Sequence, residues 1–186
     1  YFLYSSQHTR IKSTAHNELS IIADQKVLQL SHWRQERIRD IQLFAGNPGF
    51  AEYVRTRGNG QLKKELLTLM HAARELQGYQ NLMIADYRGL LRLSAIEESW
   101  TPPKPALIQK ALTGRLPVLG DLTRHSGSGA IYLEIIAPLL QTDRSLKPAG
   151  LMVARIDPYQ FFSPFLHPWK CQVKPGGVAG GMVLQR

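Results

Sequence analysis

Ala130-Ile131-Tyr132-Leu133-Glu134-Ile135-Ile136-Ala137-Pro138-Leu139 and Ala149-Gly150-Leu151-Met152-Val153-Ala154-Arg155-Ile156-Asp157 are the stretches whose reading decides the fold. Both are short, largely apolar and separated by a polar turn at Thr142 to Lys147, which predicts two neighbouring strands. Side chains alternate across a strand, so Tyr132, Glu134 and Ile136 share one face while Ile131, Leu133 and Ile135 share the other. On the next strand Leu151, Val153, Arg155 and Asp157 oppose Met152, Ala154 and Ile156. One face of the pair is wholly apolar and suits packing on a helix. The opposite face mixes hydroxyl, carboxylate and guanidinium groups, the kind of lining that orients a small molecule in a largely apolar pocket.

Upstream, Tyr79 to Asp86 and Leu90 to Ala95 read as a hairpin around Tyr87-Arg88-Gly89, with glycine where a positive φ is wanted. Pro105 can open a short helix through Leu112, closed by Gly114, and Pro117 to Gly120 begins an extended stretch. Pro158 to Ser163 suits a short aromatic helix, and Met182 to Gln185 a last strand. The first 78 residues have a different period. From Glu18 to Ala45, Leu19, Ile22, Ala23, Val27, Leu30, Trp33, Ile38, Ile41 and Phe44 fall mostly three or four apart, the spacing of an amphipathic helix. Neither Gly nor Pro occurs between Tyr1 and Ala45, so this helix can run for much of that length until Gly46-Asn47-Pro48-Gly49 stops it. A short helix around Phe50 to Arg57 and another marked by Leu62, Leu66, Leu69, Met70, Ala73 and Leu76 follow. Helices first and an antiparallel meander afterwards predict an α+β fold, a PAS-like antiparallel sheet of about five strands packed on a long N-terminal helix.

Composition excludes several classes of function. The 186 residues, 44% of them hydrophobic, suffice for one core. The net charge of +9 would attract polyanions, yet the basic residues are scattered without a run or a zinc-finger or zipper pattern, so nucleic acid is not expected as a partner. No stretch is long and apolar enough to span a bilayer. The opening Tyr1-Phe2-Leu3-Tyr4 is an aromatic cluster of the kind found at a membrane interface. Cys171 has no partner for a disulfide or a CxxC site. The six histidines show no metal-ligand spacing, and no metal or cofactor is expected. Ser126-Gly127-Ser128-Gly129 lacks the strand-to-helix context of a nucleophile elbow, and the adjacent Glu97 and Glu98 read as a solvated loop rather than an acid/base pair. An enzyme is not expected.

Three segments together carry a resemblance: Leu82-Met83-Ile84-Ala85-Asp86-Tyr87-Arg88-Gly89, Leu119-Gly120-Asp121-Leu122, and Gly150 through Pro158. In that order, after a long helix and a helix pair, they resemble the Cache (extracellular PAS-like, PDC) domains of bacterial sensor histidine kinases, diguanylate cyclases and chemoreceptors. The resemblance runs from about Leu19 to Arg186, and Pro168-Trp169 looks like the point where such receptors leave a first lobe. It implies three parts: a signalling and dimerisation helix at 1–45, a sensor lobe at 46–168, and at 169–186 a terminal strand or the start of a second lobe. It further implies a periplasmic domain of an inner-membrane receptor, acting as a homodimer and binding a small molecule. In the family the pocket lies on the sheet face away from the long helix, under the segment between the second and third strands. Carried onto this chain, that places Arg92, Ser94, Trp100, Asp121 and His125 around a ligand, above Tyr132, Glu134, Arg155 and Asp157. Arg92 or Arg155 would hold a carboxylate through paired hydrogen bonds. Glu134 and Arg155 equally suit a cross-strand ion pair, and Trp100 a cap on the core. A ligand-free dimerisation or partner-binding domain is the alternative. The amino-acid-binding signature of the family is not recognisable at its usual spacing.

Overall fold

The structure, a computed structural model, describes residues 2–56, 58, 60–125, 129–140 and 148–159, with side chains from residue 17 onward. The expected strand at Met182 to Gln185, Cys171, the turn at Thr142 to Lys147 and most of the helix expected after Pro158 lie outside those residues. The element order is α1 (Phe2–Ala45), α2 (Pro48–Thr56), α3 (Gly60–Gln77), β1 (Asn81–Asp86), β2 (Leu91–Ser94), α4 (Pro105–Gly114), β3 (Val118–Arg124), β4 (Ile131–Leu139) and β5 (Gly150–Ile156). The strands form one antiparallel sheet in the order β2-β1-β5-β4-β3. The last of the described strands is thus the central one. The α+β architecture expected from the sequence is the one observed.

Helix α1 is 44 residues long. Its inward-facing positions Ile22, Leu30, Trp33, Arg37, Ile41, Phe44 and Ala45 repeat at helical spacing and are half-buried or buried. Arg37 ties this helix to the end of α3 by donating to the Gln77 carbonyl at 3.1 Å and to its Oε1 at 2.9 Å. The helix α2 starts at Pro48 rather than Phe50, because Asn47 Oδ1 accepts the Gly49 N–H at 2.9 Å and proline needs no N–H partner in a first turn. At the end of α4 the left-handed residue is Arg115, at φ 53°, and not Gly114.

Two apolar clusters sandwich the sheet. Ile41, Ala45, Phe50, Tyr53, Leu66 and Met70 of the first three helices pack on Leu82, Ile84, Leu93, Ile135, Met152, Ala154 and Ile156. This is the face that alternation assigns to the helix. On the other face Ala111 of α4, with Trp100, Leu107, Ile108 and Leu112, covers Met83, Val118, Ile136, Leu151 and Val153. Fully burying a side chain such as Leu82 or Ile135 contributes about 1.5–3 kcal/mol, so both layers matter to stability. Close strand packing sets the glycine that opens β5: a Cβ on Gly150 would collide with the Ala85 carbonyl of β1.

Candidate functional site

Strand register builds the site. Arg155 on β5 sits between its register partners Asn81 on β1 and Glu134 on β4, so three polar side chains stand in a row on the face away from α1. All three are buried, and Arg155 is 0% exposed. A guanidinium can remain inside a protein only if its charge and donors are met. Arg155 Nε donates to Glu134 Oε1 at 3.1 Å, and Nη2 to the Thr101 carbonyl at 2.8 Å. Nη1 lies 3.2 Å from Glu98 Oε1 but makes no hydrogen bond. The guanidinium carbon lies over the Tyr132 ring, 4.3 Å from its centroid, and 5.8 Å from that of Trp100.

The segment between β2 and α4 roofs this row and is held by polar bonds from three strands. Asn81 Nδ2 donates to Glu98 Oε2 at 2.9 Å and to Ser94 Oγ at 3.1 Å, while Ser94 Oγ donates to the Ile96 carbonyl at 2.6 Å. His125, buried at the end of β3, places Nε2 3.1 Å from both the hydroxyl and the carbonyl of Ser99, and 3.9 Å from Glu98 Oε1. Trp100 Nε1 donates to the Gly89 carbonyl at 3.0 Å, pinning the roof to the β1–β2 turn. Beside these residues opens a groove of about 480 Å³, lined by Leu91, Ser94, Ile96, Glu97, Glu98 and Ser99.

Burial pushes the Glu134 carboxyl above the usual range; the attraction and hydrogen bond of Arg155 oppose this, and the Glu98 charge adds to it. Burial likewise raises the Tyr132 phenol, against the pull of Arg155. Among the described residues no three His, Cys, Asp or Glu side chains converge as metal ligands would.

Ser94, Trp100, His125, Tyr132, Glu134 and Arg155, all expected at the site, are brought into this cluster or its walls. Arg92, Asp121 and Asp157 are not. The β1–β2 ladder shifts register between Ile84 and Ala85, opposite Leu93 and Leu91, so Arg92 is the extra residue of a bulge. Its Nε and Nη2 bond Asp86 Oδ2 at 3.1 and 2.6 Å instead of facing a ligand. A second shift between Leu119 and Leu122 turns Asp121 outward, where its side chain is 86% exposed and its salt-bridge partner is Lys104 at 3.8 Å. Gly120 at that bulge makes room for α4, because a Cβ there would stand 3.2 Å from Leu107 Cδ1. Asp157 lies past the end of β5, and its Oδ1 accepts the Tyr159 N–H at 2.8 Å.

Glu98 is a correction in the opposite sense. Expected as a solvated loop residue, it turns inward to Asn81, Arg155 and His125, while Glu97 stays exposed. Asn81, Ser99 and Thr101 were also missed. A polar residue opening a strand whose next four positions, Leu82 to Ala85, are apolar was the available signal for Asn81; nothing in the sequence pointed to a backbone carbonyl as a partner of Arg155.

No protein-family model matches the chain, and no curated protein matches it in sequence. Among solved structures, the sensor domain of the V. cholerae histidine kinase DctB aligns with a TM-score of 0.64 over 84% of this chain and 59% of its own, at 12% identity. This chain has the PAS-like α+β fold of that sensor domain. The same fold relates it to a domain of a sensory box/GGDEF family protein from Vibrio parahaemolyticus, with a TM-score of 0.55 and 16% identity over 77% of this chain and 63% of that one. The ligand-binding domain of the Campylobacter jejuni chemoreceptor Tlp3, solved with L-norvaline, aligns with a TM-score of 0.54 and 11% identity over 72% and 55% of the two chains. The chain therefore spans less than two thirds of each of these structures. No described helix is long and apolar enough to cross a membrane.

Proposed function

We propose that this chain is the extracytoplasmic ligand-sensing domain of a bacterial transmembrane receptor, a histidine kinase, diguanylate cyclase or chemoreceptor, and is not itself an enzyme. The observation that carries this reading is the buried row Asn81, Arg155 and Glu134, set beneath a polar-strapped roof and beside an open groove on the sheet face away from α1. A buried guanidinium and carboxylate do less for stability than well-packed apolar residues of the same size, so a binding role accounts for their presence. A small molecule entering the groove would reorder the roof. It can signal only by binding two arrangements of the domain with different affinity. Ser94, Trp100, His125, Tyr132, Glu134 and Arg155 are the residues through which it would do so.

Helix α1 is the proposed output element. Ile21 and Leu28, two turns apart and exposed on its outward side, supply an apolar strip for pairing with a second copy. On this reading residues 1–45 form the signalling helix and 46–168 the sensor lobe, and the intact receptor is tethered in the inner membrane. That apolar strip is also what favours the rival role, a dimerisation domain without ligand.

Thermal unfolding of the purified chain against carboxylates, amino acids, amines and purines tests the proposal. A ligand present at a hundred times its Kd adds about 2.7 kcal/mol, a rise of several degrees in the midpoint. The rise should saturate, and filling the groove with Ile96→Trp should abolish it. A library without a single saturable shift would leave dimerisation as the function.

A further inference from the structure

We infer that Glu98 is a built-in competitor for the site: its carboxylate occupies the seat of a ligand carboxylate, and binding exchanges one for the other. The inference rests on the ligand-sensing reading and adds a ligand class and a release step to it.

The seat already holds a carboxylate. Around Glu98 stand Asn81 Nδ2 at 2.9 Å, Arg155 Nη1 at 3.2 Å and His125 Nε2 at 3.9 Å, from β1, from β5 and from the residue that follows β3. Asn81, Arg155 and His125 are all buried, so the groups that face Glu98 are held in place by their surroundings. Glu98 fills it imperfectly, because the enclosed Nη1 has no hydrogen bond despite the nearby oxygen. Guanidinium and carboxylate form their strongest pairs when the N–H bonds point at the oxygens. A free carboxylate can adopt that alignment; one tethered through the backbone of the roof has not.

The other bonds of Arg155 explain why Glu98 is the group that yields. Glu134 is its register partner on β4 and is 4% exposed, so leaving Arg155 would strand a charge in the interior. Thr101 offers a backbone carbonyl just ahead of α4. Glu98, by contrast, lines the groove with 21% of its side chain exposed and can reach water. Exchange leaves the buried charge unaltered, one carboxylate replacing another beside Arg155 and Glu134. It also cuts the bond from Asn81 to Glu98, one of the polar straps on the roof, which couples occupancy to movement of residues 97–101. Glu97 on the rim is exposed, where salt screens its repulsion of an incoming anion.

The test titrates acetate and succinate into the intact chain, Glu98→Gln and Glu97→Gln at constant ionic strength, followed by amide NMR. If Glu98 holds the seat in about nine molecules of ten, removing its charge tightens apparent binding about tenfold. Glu97→Gln should change it by less than about twofold. Hydrogen exchange supplies a readout that needs no variant: saturating succinate should reduce protection of the Trp100 indole N–H, which donates to the Gly89 carbonyl. Equal or weaker binding of both acids to Glu98→Gln overturns the inference, as does unchanged protection in the parent chain saturated with succinate. An amine or neutral compound that binds parent and Glu98→Gln alike would refute the exchange while leaving the sensing role intact. Failure of every compound on the parent chain would instead remove the sensing role, and acetate binding to Glu98→Gln would still decide whether the seat exists.

Discussion

Arg155→Met removes the cation from the centre of the sheet while keeping an unbranched side chain over Tyr132. The lost partners are Glu134 at 3.1 Å and the Thr101 carbonyl at 2.8 Å, with Glu98 nearby, so a buried carboxylate is left without its counter-charge. Breaking a buried pair from one side destabilises by about 3–5 kcal/mol, a large share of the 5–15 kcal/mol that holds a typical domain folded. The loss should depend on pH in a defined direction. Glu134 already has a raised pKa because burial outweighs Arg155, so its contribution to stability is greatest below the unfolded value near 4.5 and falls as pH rises through the folded value. Without Arg155 the opposing pull disappears and the folded value climbs further. The variant should therefore regain stability on acidification more than the parent does. Urea unfolding followed by circular dichroism, near neutral pH and about two units lower, measures both terms. Glu134→Gln added to Arg155→Met should recover much of the neutral-pH loss, since no buried charge then remains in that pair. A loss below about 1 kcal/mol that is equal at both pH values would mean that the pair behaves as a solvated surface bridge and not as a buried one.

Asp86 makes the opposite pH prediction. Burial tends to raise its carboxyl, but hydrogen bonds from the Leu90 N–H, Arg92 and the Arg88 N–H win and hold it below the usual value of 3.8. Its stabilisation is present above 3.8 and fades as pH falls through the folded value, so Asp86→Asn should lose roughly 2 kcal/mol at neutral pH and much less in strong acid, as read by urea midpoints. Gly150→Ala drives a Cβ into the Ala85 carbonyl where β1 pairs with β5, and about 1–3 kcal/mol of overpacking should appear as a lower Tm. Tyr79, pushed up to about 12 chiefly by burial, should be a late step in an ultraviolet titration that Tyr79→Phe removes. Because its buried hydroxyl has no hydrogen bond, the same variant should unfold within about 1 kcal/mol of the parent.

Much of the fold was legible because its signals are local. The spacing of Ile22, Trp33, Ile41 and Phe44 needs only the helical repeat, and the alternation in Ile131 to Ile136 and Leu151 to Ile156 needs only the pleat. Those two rules assigned Arg155, Glu134 and Tyr132 to one buried face before any strand was paired. Gly89, at positive φ, stands where the sequence marks a turn.

What the sequence by itself determined, then, is the kind of each element and the inward face of most of them, since both follow from periodicities within ten or so residues. The tertiary structure alone decided which polar groups meet. Bulges at Arg92 and Gly120-Asp121 turned two expected site residues away, because one extra residue in a ladder reverses the face on which a side chain emerges. Glu98 looked like any charge in a loop, and nothing within its own segment distinguishes it from Glu97. It turns inward because Asn81 of β1, Arg155 of β5 and His125 just past β3 converge on it, and the energy of an ion in a protein depends on those distant groups and on exclusion from water.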